Sequence, residues 1–258
     1  MNDIATPAGP QSGPHPSSWS VRIVGLLAFL IPVFLLPIAE VSIPFTKTLI
    51  ALALGTVLLI LLIASVLRSR SVVVPVPVTL FALLALPGAY LLSSLFSAYP
   101  ALSLWGYQLE FDTFGFILLG SALSILIAFL GLSSRHVFSV FVWLFAGGCV
   151  VILFELLQLF FGGPLPSVLF SAPTLNLVGT WNGLGIFLGL MASLVLIALE
   201  SLELPRFHRW LLRATLILSL LLLVLVNFGT VWIALAVVAF AVLVHAILQS
   251  LRGGESAG

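Results

Sequence analysis

Charge is the scarcest commodity in this sequence. Only 7% of its 258 residues are Asp, Glu, Lys or Arg, against about 25% in a soluble domain. So few charges cannot cover a water-facing surface. Cysteine is nearly absent as well. Cys149 stands alone in an apolar run, which excludes an intrachain disulfide and a cysteine-based metal site. The four histidines, His15, His136, His208 and His245, are scattered without metal-ligand spacing, so no metal is expected. A net charge of +1 gives no reason to expect nucleic acid. There is no Walker-type phosphate loop, nucleophile elbow or HExxH, and no cofactor is expected.

What is present is apolar sequence. Hydrophobic residues make up 62% of the chain, and its mean hydropathy is +1.32. Lipid is then the main solvent of the exterior. Pro7, Pro10, Pro14 and Pro16 lie among Gly, Ser and Ala. That composition reads as a disordered cytoplasmic tail over residues 1–20. A secretory leader needs a basic start, and here Asp3 is the only strong charge, so the first apolar run reads as an uncleaved span.

A span needs roughly 17–25 residues, and a helix satisfies its own backbone in lipid. The runs predict an all-α, polytopic helical bundle of about eight spans over residues 21–249. They are Val21–Ile38, Lys47–Leu67, Val78–Phe96, Phe111–Gly131, Val137–Phe161, Asn182–Leu199, Trp210–Val226 and Val231–Gln249. Pro32 and Pro37 predict a kink in the first. Leu211 to Ala246 is almost unbroken; as one helix it would reach about 50 Å, beyond a core of about 30 Å. It should therefore fold back, with the hinge at Asn227-Phe228-Gly229-Thr230.

Basic residues orient such a bundle. With a cytoplasmic N-terminus, the inner segments hold Arg22, Arg68, Arg70, Arg135, Arg206, Arg209, Arg213 and Arg252. The outer ones hold only Lys47. Both termini are then cytoplasmic, with residues 250–258 as a second tail. Trp105, Trp181 and Trp232 fall near outer ends, Trp19 and Trp210 near inner ones, as aromatic belts do.

Few residues could carry chemistry. The outer segment Ser97 to Asp112 combines Trp105, Tyr107 and Gln108 with Glu110 and Asp112. Aromatic faces stack on sugar rings and carboxylates accept from hydroxyls; an interfacial belt with acidic residues kept outside gives the same composition. Glu155, with Gln158 three residues on, lies about 27 Å along the fifth span, near the outer interface. It is either a functional polar group or a snorkelling one. Gly162 to Asn176 forms an uncharged outer loop leading into Gly179 to Gly185. Gly185, Gly189 and Ser193 read as a close-packing stripe. The inner loop Glu200 to Arg213 alternates acidic and basic residues and reads as solvated, facing anionic lipid.

Three stretches carry a likeness to a known family. They are Leu92-Ser93-Ser94-Leu95-Phe96-Ser97 through Ser103-Leu104-Trp105-Gly106-Tyr107, Leu177-Val178-Gly179-Thr180-Trp181-Asn182, and Asn227-Phe228-Gly229-Thr230-Val231-Trp232, together with Lys47 at the start of the second span. In order and spacing the chain resembles the O-antigen ligase and O-antigen polymerase superfamily, from roughly Val21 to Gln249. The resemblance implies a membrane-embedded glycosyltransferase of the bacterial inner membrane. Its substrate would be a polyprenyl-diphosphate-linked glycan on the outer face, with Lys47, Trp105, Tyr107, Glu110, Asp112, Glu155 and Asn182 as candidate substrate-binding residues. No catalytic residue is assigned.

The chain departs from the family at two arginines. Glu110 and Asp112 stand in the "G-y-x-R" stretch, and Phe228-Gly229-Thr230 stands in the later turn. The family also has further spans and an outer loop with its key Arg and His, so the chain is expected to be an N-terminal portion or a shortened relative. Two other readings stay open: a non-catalytic membrane scaffold that binds membrane-protein partners, and a small transporter.

Overall fold

The computed structural model describes residues 17–36, 42–72, 74–107, 110–161 and 176–255. The proline-rich tail, Pro37 and Ile38, Gln108, and the loop from Gly162 to Pro173 lie outside the described residues. Among the described residues all regular structure is helical. The helices are α1 (Ser18–Val33), α2 (Ile43–Ser69), α3 (Pro77–Leu95), α4 (Pro100–Trp105), α5 (Phe114–Phe129), α6 (Ser134–Phe161), α7 (Trp181–Ser201), α8 (Arg206–Val226) and α9 (Gly229–Glu255).

Six of these, α2, α3, α6, α7, α8 and α9, are long and apolar enough to cross a membrane. Their outer faces are apolar too. On α9, Ile233, Val237, Phe240, Val244 and Ile247 recur at three- and four-residue steps and are all exposed. Such a stripe is costly in water and neutral against lipid tails. The protein is a multi-pass membrane protein. Helices α1 and α5 are apolar but have 16 residues each, or about 24 Å.

Several boundaries differ from the sequence reading for local reasons. α1 ends at Val33 rather than Ile38, just after Pro32, whose ring costs a backbone hydrogen bond and crowds the preceding turn. α2 begins at Ile43, so Lys47 sits in its second turn rather than at its start. α9 continues through Glu255, past the expected start of the tail. The connection after α3 contains the short helix α4, with Pro100 at its first position.

The chain divides into two compact units, Met1–Ile31 with Pro44–Leu144, and Pro32–Ile43 with Phe145–Gly258. In the first, Val24, Leu58 and Leu130 form the centre of a core, packed by Ile23, Leu62, Leu126, Ile127, Leu132 and Val140. A Cβ on Gly25 would lie 2.6 Å from Cδ1 of Trp143, so the bare backbone lets the indole approach α1 closely. Phe29 meets the same indole edge to face at 6.1 Å.

In the second unit α7 is central and packs against α8 and α9. Its buried face carries Leu184, Gly185, Leu188, Gly189, Met191, Ala192 and Val195. Small residues let backbones approach, as the sequence pattern anticipates. A Cβ on Gly185 would fall 2.9 Å from Cγ1 of Val226, and one on Gly189 would collide with Val231. Ser193 hides its hydroxyl by donating to the Gly189 carbonyl at 2.8 Å.

The fold-back falls where expected. α8 ends at Val226, Asn227 takes a left-handed conformation (φ 51°, ψ 46°), and α9 starts at Gly229. The Asn227 N–H donates to the Leu223 carbonyl at 2.9 Å. Only Gly, and less readily Asn, enters this region without strain. Asn227→Gly should therefore keep the thermal midpoint within about 1 °C, whereas Asn227→Val should destabilise by about 1–2 kcal/mol. Thermal unfolding in detergent distinguishes these outcomes, and equal midpoints would contradict the assignment.

Candidate functional site

The connection from α3 to α5 lies in the first unit. Its serines hold its shape. Buried Ser94, near the end of α3, donates to the Ser103 carbonyl at 3.3 Å. Ser103 donates to the Ser97 hydroxyl at 2.7 Å. Ser97 also accepts from the Tyr99 N–H at 3.3 Å. These bonds pin α4 across the end of α3.

The chain then turns at Gly106, whose φ of +61° favours glycine. A Cβ there would lie 3.0 Å from Oε2 of Glu110 and 3.0 Å from Cγ2 of Thr113. The Glu110 carboxylate thus lies over the Gly106 backbone. Thr113 joins the connection to α5. Its hydroxyl donates to the Glu110 carbonyl at 2.8 Å and accepts from the Phe116 N–H at 3.4 Å, which caps the helix. Trp105 rests edge to face on Phe114 at 6.4 Å, and Phe111 on Phe116 at 5.0 Å.

This architecture presents the candidate side chains outward. Trp105 is 53% exposed and Tyr107 81% exposed. Glu110 and Asp112 are both exposed. Two aromatic faces and two acceptor carboxylates therefore share one short, braced connection. Such a set can stack on a pyranose ring and accept from its hydroxyls. The carboxylates also stand just before α5, where the positive end of the helix dipole favours anions. Placement there has a structural explanation as well as a functional one.

The remaining candidates belong to other helices, Lys47 to α2, Glu155 to α6 and Asn182 to α7. Lys47 is only 3% exposed, flanked by buried Thr46 and Thr48. Asn182 is exposed on the first turn of α7 in the second unit. The N-cap of that helix is Thr180, which accepts from the Gly183 N–H at 3.0 Å. Before it, fully buried Asn176 accepts from the N–H groups of Val178 at 3.0 Å and Gly179 at 2.9 Å. It also donates to the Thr180 carbonyl at 3.2 Å. Asn176 organises this entry, and the sequence gives no warning beyond an Asn four residues before a cap.

Glu155 is 7% exposed. It belongs to the buried face of α6, with Gly147, Gly148, Val151 and Ile152. Its Oε1 makes no hydrogen bond among the described residues, and the same holds for the buried Ser219 hydroxyl on α8. Ser219 is a further polar group within the second unit that an apolar run conceals. No group of three or more His, Cys, Asp or Glu side chains among the described residues could hold a metal.

The serines, Asn176, Thr180, Gly106 and Asn227 all act on local backbone. Each of the three stretches that carry the family likeness is thus a device that ends or starts a helix. No protein-family model matches the chain, and neither does any curated protein or solved structure.

Proposed function

We propose that this protein handles lipid-linked glycan on the outer face of the bacterial inner membrane, as O-antigen ligases and polymerases do, and that its Trp105–Asp112 connection contacts the sugar. The topology in this reading has eight spans, with both termini cytoplasmic. The two 16-residue helices complete their crossings with apolar flanks, Phe34 to Leu36 after α1 and Leu130 and Gly131 after α5. Eight of the nine basic residues are then inside. Two of them stack on interfacial indoles, Arg22 on Trp19 at 5.1 Å and Arg213 on Trp210 at 5.5 Å.

The observation carrying this reading is the exposure of Trp105, Tyr107, Glu110 and Asp112 on one braced connection. A diphosphate needs cations, and on the proposed outer side Lys47 is buried. The sugar contact is therefore assigned to this chain, and the diphosphate contact to cations on another chain or segment. The same burial favours a second reading, a non-catalytic scaffold for cell-surface polysaccharide assembly.

The test is binding of polyprenyl-diphosphate-linked oligosaccharide to the protein in nanodiscs. Trp105→Ala should raise Kd about tenfold, and Glu110→Gln with Asp112→Asn about as much again, from the lost stacking and charge-assisted bonds. Equal affinity for the wild type and the triple variant would remove the sugar-binding reading and leave the scaffold.

A further inference from the structure

Within the second unit, an open cleft of about 670 Å³ lies where the ends of α7, α8 and α9 meet. Its lining includes two carboxylates, Glu200 and Glu203, and two guanidinium groups, Arg209 and Arg213. No ion pair joins these four among the described residues. Leu199 and Val242 supply an apolar wall. The volume falls in the range of small-ligand sites, roughly 300–1,000 Å³.

Its depth in the membrane follows from the helices. The spanning stretch of α7 ends at Ser201, that of α8 begins at Arg206, and that of α9 ends at Gln249, which also lines the cleft. The cleft is therefore at the level of lipid headgroups. Phe207 and Trp210 are exposed at the same end of α8, as interfacial aromatics are.

We propose that this cleft binds the headgroup of a zwitterionic phospholipid bearing a primary amine. Arg209 and Arg213 are four residues apart and so share one helix face. Two guanidinium groups on that face can each donate to a phosphate oxygen. Glu200 and Glu203 accept from the ammonium group, which offers three donors. The amino group and the phosphate belong to one headgroup, so both pairs are satisfied together. The charges in the lining balance, which selects against an anionic headgroup: it would satisfy the arginines and leave two carboxylates facing negative charge. A choline headgroup carries no N–H and leaves the carboxylates without donors. The acyl-glycerol end meets Leu199 and Val242.

Native mass spectrometry of the detergent-purified full chain tests this after equilibration with equimolar phosphatidylethanolamine, phosphatidylglycerol and phosphatidylcholine. The wild type should retain phosphatidylethanolamine about tenfold over each of the others. Arg209→Gln with Arg213→Gln should abolish that retention. Glu200→Gln with Glu203→Gln should keep phospholipid bound but erase the preference over phosphatidylglycerol. Arg206→Gln, which changes an arginine outside the lining, should match the wild type and shows that loss of one charge on α8 does not itself release lipid. Equal retention of phosphatidylglycerol by the wild type, retention unchanged in the arginine pair, or displacement of the lipid by millimolar inorganic phosphate would overturn the proposal.

Discussion

Gly189→Leu should sharply reduce the yield of folded protein and lower its stability by about 3 kcal/mol or more. A side chain at this position has nowhere to go, because its first carbon would already collide with Val231 on α9. Valine is branched at Cβ and holds one rotamer in a helix, so it cannot swing aside. Overfilling a packed interface costs about 1–3 kcal/mol for small additions, and leucine adds a whole isobutyl group. α7 is the central helix of its unit, so the displaced contact disturbs both of its neighbours.

The matching controls are Gly88→Leu on α3 and Gly120→Leu on α5, where an added Cβ meets nothing within 4 Å. Both should leave the thermal midpoint of the detergent-solubilised protein unchanged or raised, since leucine is the better helix former. Gly148→Ala is an intermediate case: the obstructing side chain is Met191, which is flexible enough to yield in part. If Gly189→Leu melts with the Gly88→Leu control, α7 does not lie against α9 as described.

Glu155→Leu should move stability the opposite way, by about 1–3 kcal/mol, and make the protein more resistant to heat. Glu155 sits on the buried face of α6, and Oε1 has no hydrogen-bond partner among the described residues. A buried polar group without a partner costs about 1–3 kcal/mol. An apolar side chain of similar size removes that cost and fits beside Val151 and Ile152. Glu155→Gln keeps the shape and the polar atoms, so its gain should be smaller. A carboxylate within a membrane-spanning helix is costly and marks a functional site by default. Under the proposed function, the stabilised Glu155→Leu protein should be impaired in binding lipid-linked glycan. Thermal unfolding with the nanodisc binding assay reads both properties. A loss of stability in Glu155→Leu would show that the carboxyl group is structurally satisfied and would remove it from the candidate site.

The helices were readable because lipid demands long apolar runs; each of the eight runs named from the sequence overlaps one helix, and six of those helices are long and apolar enough to cross a membrane. The fold-back at Asn227 was readable for a related reason: the run was too long for one crossing and held only one tetrapeptide able to turn. The Gly185, Gly189 and Ser193 stripe was legible because only small residues permit close backbones. Other features depend on contacts that periodicity does not encode. α4 has six residues, too few for a periodic signal. Extending α2 upstream to Ile43 moved Lys47 into a second turn, where neighbours enclose it. Counting residues tells how far along α6 Glu155 lies but not which face it occupies. That face follows from Gly148, Val151 and Ile152, which recur with Glu155 at helical spacing and are buried with it.

Within the candidate site, the sequence named the exposed residues Trp105, Tyr107, Glu110 and Asp112 but not what holds them. Ser94, Ser97 and Ser103 join positions up to nine residues apart, and such pairings appear only once the chain has turned.

The proposed topology sets the Trp105–Asp112 connection on the outer side and the Glu200 to Arg213 segment on the cytoplasmic side. Changing Cys149 to Ala leaves a chain without cysteine, into which single cysteines can be placed. With a membrane-impermeant maleimide on intact spheroplasts, Asp112→Cys should label at once, and Arg209→Cys only after the membrane is permeabilised. Labelling of Arg209→Cys in intact spheroplasts with Asp112→Cys protected would invert the bundle and contradict the proposed topology.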